Sequence, residues 1–430
     1  MDDPTISAVI GRRVWDSRGL PTVEAEVRLA SGAVGRAIAP AGKSVGGAEA
    51  VDLRDSGLYL EGLGVERAVS HVNREIADAL RGMDARDQAA VDRALISLDG
   101  TPNKSRLGGN AIVAVSMAVV HAAAAFARVP LFRCLGGTEA RQLPLPEIQV
   151  FGGGAHAGRR VDIQDFMVVP RSVGTLAEAL SMTAQVYRSA GKLLADTGRL
   201  YGVADEGGFW PAFDTNEEGL ETLVLAIERA GYIPGHDVGI SLDIAATQFC
   251  RDGRYWLGLE KREFDADGLG ELLCSWIDRF PIVSIEDPFA ENDLEAFQRF
   301  TSAVGERVQV VGDDLLATNA QKIETAARIG ACNAALLKPN QAGTLTETKS
   351  ALGAARAAGW RAIISARSGE TEDVTIAHLA VGWCVGQIKV GSFARSERMA
   401  KWNELVRIEE ALGDEARFAG GEVLRCGRKM

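Results

Sequence analysis

From Leu145 onward the chain alternates short β-branched runs with stretches of helical length, and this repetition leaves few folds open. The runs are residues 162–169, 238–243, 282–286, 308–313, 334–338, 361–365 and 387–390; helix-length segments at 294–300, 320–329, 345–358 and 372–381 separate the later ones. Strand and helix in strict alternation predict a closed parallel β/α barrel, with a doubly wound open sheet as the alternative.

The first third of the chain reads differently. Val23, Ala25, Val27 and Leu29 alternate with Glu24, Glu26 and Arg28, the two-residue period of a half-buried strand. Residues 6–14 and 33–39 flank it across Gly and Ser turns, which predicts a three-stranded meander. Helical periodicity follows over 65–81, 85–98 and 110–127, so the unit is α+β. Pro130, Gly136, Gly137, Pro144 and Pro146 mark a connector. The expected division is 1–130 for an α+β capping domain, 131–144 for the connector and 145–430 for the barrel. Residues 111–127 are the most apolar stretch but fall short of the roughly 20 residues of a membrane span, so a buried helix is expected.

Composition narrows the function. The 430 residues are 47% apolar and 24% charged, which suits a globular chain. A net charge of −11 argues against general nucleic-acid binding, although a site can still be locally positive. Six widely spaced cysteines without a C-x-x-C pair predict reduced, mostly buried thiols. The acidic Met1-Asp2-Asp3-Pro4 lacks the basic-then-apolar pattern of a secretory signal, so a cytoplasmic protein with no membrane partner is expected.

The chemistry lies where the strand runs end. One ends in Asp243, the next in Glu286-Asp287, the next in Asp313-Asp314, then one in Lys338, and the last carries Lys389. In a β/α barrel the carboxyl ends of the strands share one face, so three acids converge there with two lysines opposite. A single Asp at a strand end is usually a turn or helix cap; recurrence on three successive strands points instead to a hard cation, Mg²⁺ or Mn²⁺, held by oxygen alone. Asp287 and Asp314, the second acids of each pair, are expected to be caps or to orient the first acids. A lysine desolvated near cations moves toward its neutral form and becomes a base. Acid cluster and lysine together suit removal of a proton next to a carboxylate.

These residues sit in longer strings that resemble the enolase (phosphopyruvate hydratase) family. The strings include Ser17-Arg18-Gly19, residues 110–116, Asp205-Glu206-Gly207-Gly208-Phe209, residues 284–289, Gly312-Asp313-Asp314-Leu315, Leu337-Lys338-Pro339-Asn340-Gln341, residues 367–373 and Gly386-Gln387-Ile388-Lys389, in collinear order. The resemblance implies Mg²⁺ on Asp243, Glu286 and Asp313, Lys338 as the base for 2-phosphoglycerate, and Lys389 on the substrate carboxylate. It implies Glu206 as the acid that helps the hydroxyl leave, Arg367 and Ser368 as the phosphate pair, and His156 as a loop histidine near the substrate. It also implies a homodimer or higher oligomer, with Glu24 and Arg407 forming an ion pair between subunits.

Departures from the family pattern cluster around the same site. Asp165, in Gln164-Asp165-Phe166-Met167, replaces a glutamate in what is implied to be a catalytic position. Ala366 replaces a histidine, and Ala41 replaces the loop serine that in the family chelates a second Mg²⁺. Lys43, Arg159 and Arg160 are added cations on covering loops, expected to contact substrate. Three readings stand at this stage. The chain is an enolase-type lyase acting on 2-phosphoglycerate or a close analogue. Alternatively, it resembles a carboxyphosphonoenolpyruvate synthase of phosphonate biosynthesis, using a nucleotide-activated phosphonoformate. The third reading is a non-catalytic binding protein on the same fold.

Overall fold

An alternating strand needs cover for one face, and the computed structural model, which describes residues 3–43 and 46–424, supplies it. Strands Ile6–Trp15, Pro21–Leu29 and Val34–Ile38 form the expected antiparallel meander. Val23, Ala25, Val27 and Leu29 are buried under helix Gly109–Ala127. That helix is alanine-rich for a steric reason: a Cβ on Gly35 would lie 2.1 Å from the backbone nitrogen of Ala122, so sheet and helix are pressed together. At 19 residues it is long and apolar enough to cross a membrane, but most of its surface is buried within the protein.

The helix expected over 65–81 is present but not uniform. Glu66–His71 passes through a wider π turn, Val72–Ile76, into Ala77–Leu80. Asn73 in that turn donates to the carbonyl of Gly11 and accepts from its amide, both at 2.9 Å, which locks the helix to the first strand. The region expected as a bare connector holds a short helix, Leu131–Gly136, packed on helix Thr375–Gly382.

The second part is a closed eight-stranded barrel, not an open sheet. Around the ring run Leu145–Gly152, Asp165–Pro170, Val238–Asp243, Ile282–Glu286, Gln309–Gly312, Ala334–Leu337, Arg361–Ser365 and Gly386–Ser392, and the last pairs with the first. The all-parallel expectation needs correction: Asp165–Pro170 runs antiparallel to both neighbours. No helix of crossover length lies between Leu145–Gly152 and Asp165–Pro170, only a short loop with a 3₁₀ turn at Gly154–Ala157, so the chain turns back as a hairpin. The return path, through helices Leu176–Asp196 and Asn216–Arg229, restores the common direction.

Each of several barrel helices begins at a side chain that accepts a backbone N–H of its own first turn: Thr175, Thr215, Asp265, Asp293, Asn319 and Thr344. A small antiparallel sheet, Cys250–Arg251, Arg254–Leu257 and Arg262–Phe264, is inserted after the Val238–Asp243 strand and was not foreseen. Of the five described cysteines none is paired, but only Cys332 is fully buried, so the expectation of mostly buried thiols is too strong. Cys426 lies outside the described residues.

Candidate active site

The reversed strand brings its amino end to the mouth where its neighbours bring their carboxyl ends. Asp165 therefore stands beside Asp243 in register, and Asp243 beside Glu286. All three are essentially buried. The Lys389 ammonium reaches across from the last strand and lies 2.8 Å from Asp243 Oδ2, 2.8 Å from Glu286 Oε2 and 3.3 Å from Asp165 Oδ2. Lys338, which follows strand Ala334–Leu337, donates to Asp313 Oδ2, and Gln341 donates to Asp313 Oδ1 at 2.9 Å.

Of the second acids, Asp287 behaves as an orienter, while Asp314, like Asp287, lines the cavity at this mouth. Asp287 accepts the backbone amides of Asp313 and Asp314, both at 2.9 Å, and fixes the turn that presents Asp313. Asp287, Asp313 and Asp314 bring oxygens within 4.8 Å of one another, but both Asp287 oxygens are used on that turn. Asp243 and Glu286 instead converge on the Lys389 ammonium. A cation thus already sits between two of the three expected ligands, and Glu286 Oε1 is buried with no hydrogen-bond partner. An all-oxygen set with an orphaned buried oxygen fits a hard divalent ion.

Electrostatics follow this layout. Burial pushes the Glu286 carboxyl well above its ordinary range, reinforced by Asp243 and opposed by Lys389. Burial and Asp313 together push Asp314 up to about 7. Burial alone would lower the Lys338 ammonium, but Asp313, Glu286 and Asp314 together prevail and raise it above its usual value. That corrects the expectation of a lysine already near its neutral form: its partner acid still carries an uncompensated charge. Burial likewise disfavours charge on Lys389, but Asp243, Glu286 and Asp165 prevail and raise it well above its usual value.

Glu206 arrives on the turn between short strands Leu200–Val203 and Phe209–Pro211, and its carbonyl accepts Ser392 N at 2.8 Å. His156, on the loop after the first barrel strand, has its Nδ1 3.7 Å from Asp165 Oδ1 and 3.9 Å from Glu206 Oε1. Burial lowers this imidazole, yet Glu206 and Asp165 raise it on balance. One small cavity, about 30 Å³, is lined by His156, Glu206, Asp243, Asp313, Lys338, Lys389, Arg367, Ser368, Ala366 and Lys43.

The capping domain closes this cavity. Ala41 exchanges two backbone hydrogen bonds with Gly369, both 2.9 Å. Lys43 N donates to Ser368 Oγ at 2.8 Å and Lys43 Nζ to Asp205 at 2.9 Å. Ser44 and Val45, which follow Lys43 in the chain, lie outside the described residues. Arg367 pairs with Glu49 at 2.7 Å. The fully buried Arg398 donates to the carbonyls of Arg367 and Ser368, both at 2.6 Å. Glu49 and Arg398 were not anticipated; in sequence each reads as one more surface charge.

Two predicted residues are not brought in. Arg160 stacks over the Tyr201 ring at 3.9 Å, and Arg159 contacts the Gln248 carbonyl at 3.4 Å. Both are exposed, and neither lines the cavity. A larger, mostly apolar cavity of about 560 Å³, between helices Gln88–Asp99, Gly109–Ala127 and Leu345–Ala357, contains none of the residues discussed so far as catalytic.

A buried lysine against acidic ligands at a barrel mouth defines the class of enzymes that remove a proton next to a carboxylate. Comparison with known proteins sharpens this. Residues 6–135 match the family described as the enolase N-terminal domain, and residues 140–426 match the enolase C-terminal TIM barrel domain. The chain is 49% identical over 421 residues to Enolase 1 of Desulfitobacterium hafniense (strain Y51), covering 97% of this chain and 96% of that protein. The chain belongs to the enolase family and is an enolase-type lyase, which sets aside the reading of a non-catalytic binding protein.

Proposed function

We propose that the protein dehydrates 2-phosphoglycerate, or a close analogue, to the corresponding enolpyruvate phosphate with Mg²⁺. The observation that carries this reading is that Lys338 and Glu206, a base and an acid from opposite parts of the barrel, line one small cavity. Lys338 takes the C2 proton, the C2–H electrons form the C2=C3 bond, and the C3 hydroxyl leaves as water with a proton from Glu206. Arg367 and Ser368 hold the phosphate, His156 packs beside the leaving group, and Lys389 turns to the carboxylate. Asp165, between His156 and Lys389, keeps both cations in place.

Asp243, Glu286 and Asp313 would hold Mg²⁺, which when bound supplies charge neutralisation for the substrate carboxylate and the dianionic intermediate. Oxygens that would hold it are now bonded by Lys389, on Asp243 and Glu286, and by Lys338, on Asp313. Burial is the largest single influence on Lys338 and favours its neutral form, so relief of the Asp313 charge would let it give up its proton. The enzyme acts in the cytoplasm as a homodimer or higher oligomer. A second reading, turnover of a phosphonate-bearing analogue, is favoured by Ala366 and Lys43 in the cavity wall, where they add space and positive charge.

The deciding assay is conversion of 2-phosphoglycerate by the purified protein with Mg²⁺, read by ultraviolet absorbance of the enol product. Turnover is expected, falling by about 10²–10⁴ in Lys338→Ala, the usual range for a lost general base. Binding of 2-phosphoglycerate without turnover would sink this reading and favour the phosphonate substrate.

A further inference from the structure

The loop that carries His156 has a second face. Its inner side lines the catalytic cavity, whereas Gly154 and Arg159 line a separate cavity of about 310 Å³ with Gln248, Arg251 and Trp256. That volume lies at the small end of ligand pockets, roughly 300–1,000 Å³.

The lining is unusual for an acidic chain. Arg159 and Arg251 have no carboxylate partner among the described residues, whereas Arg254 on the same inserted sheet is paired with Glu263 at 2.8 Å. Asp162 also lines the cavity but forms no ion pair with either of them. Its oxygens accept the amides of Gly258 and Leu259 and the Asn216 side chain. Trp256 presents an indole that is 48% exposed. Arg159 itself is held at φ 56°, a left-handed conformation uncommon for residues with side chains, and its amide donates to Gly154 at 2.7 Å.

Two guanidinium groups without a carboxylate partner, beside an open aromatic face in a concave site, select a ligand. Guanidinium forks suit phosphate oxygens, and an exposed indole suits a flat heterocycle. A metal cation is repelled by the arginines, and an aliphatic carboxylate makes no use of the ring. We propose that this cavity binds a nucleotide, its phosphate taken by Arg159 and Arg251 and its base laid on Trp256. An occupant there is coupled to the catalytic cavity through two side-chain amides. Gln248 accepts Ala155 N at 2.9 Å and donates to Gln164, which donates to Asp243 Oδ2 at 2.9 Å.

The inference goes beyond the proposed reaction, and its test is a binding measurement that does not depend on turnover. Titration calorimetry on the full-length protein uses cytidine and adenosine 5′-monophosphates, the free nucleosides and inorganic phosphate as probes. Saturable one-to-one binding is expected for a monophosphate, about tenfold or more tighter than for its nucleoside or for phosphate. Arg251→Ala and Trp256→Ala should each weaken it about tenfold, and Trp256→Phe should retain it. Both sites are exposed, and thermal melts verify that the variants fold. No binding at millimolar concentration, equal affinity for phosphate alone, or unchanged binding in both alanine variants overturns the assignment.

Discussion

Lys389 holds three buried carboxylates together with one ammonium, and its removal leaves Asp165, Asp243 and Glu286 facing one another. Lys389→Met is expected to lower stability by about 3–5 kcal/mol, the usual cost of stripping one partner from a buried ion cluster. Urea denaturation with and without Mg²⁺ checks it, and the loss should shrink when the cation is present. Glu147 lies under the same lysine, buried in the barrel. Burial raises its carboxyl from an ordinary 4.5 to about 7, against a hydrogen bond from Ser241 and the charge of Lys389. The folded state therefore prefers the protonated acid. Its stabilisation is complete below about pH 4.5 and is lost as pH rises through 7, a swing of about 3 kcal/mol. Glu147→Gln should flatten this part of the pH dependence and be the more stable form at pH 8. Parallel denaturation curves at pH 5 and pH 8 would show it.

Among the elements, the helices depend on their first turns. Asn319 accepts two amides at the start of Ala320–Ile329, so Asn319→Ala should cost about 1 kcal/mol in thermal or chemical unfolding. Element order and the acids at strand ends were legible because an apolar run ending in Asp or Glu is a local pattern. The direction of Asp165–Pro170 was not, since a strand has the same two-residue period either way. The sequence string located Asp165, but only the reversal explains why an acid at the start of a strand meets acids at the ends of others. Arg398 escaped notice for a related reason. It lies on helix Ser396–Leu412 in a run rich in charged residues, and nothing local distinguishes a guanidinium that satisfies buried carbonyls. The facing of Arg159 and Arg160 was not legible because a loop's facing is set by its backbone turn, here the left-handed Arg159.

At the scale of the molecule, ligand and partner contribute what one chain cannot. Mg²⁺ that binds only the folded state should raise the melting temperature, by about 2.7 kcal/mol of added stability at a hundredfold excess over its dissociation constant. Chelation should reverse the shift; an unchanged melt would remove Asp243, Glu286 and Asp313 from the metal assignment. Within the chain Glu24 pairs with Arg12, and Arg407 is largely exposed beside Glu404. If Arg407 serves a homodimer, the double variant Glu24→Ala, Arg407→Ala should sediment with more monomer.

The closing seam of the barrel joins Leu145–Gly152 to Gly386–Ser392, strands from opposite ends of the second domain. Only the hairpin of Leu145–Gly152 with Asp165–Pro170 pairs barrel strands over a short loop, so it is suited to form early, while the seam must await the longest loop closure. Lys389 sits on that last strand. A chain emerging from the ribosome thus exposes Asp165, Asp243 and Glu286 well before Lys389 is made, and a product truncated ahead of Gly386 lacks the one ammonium that bridges all three.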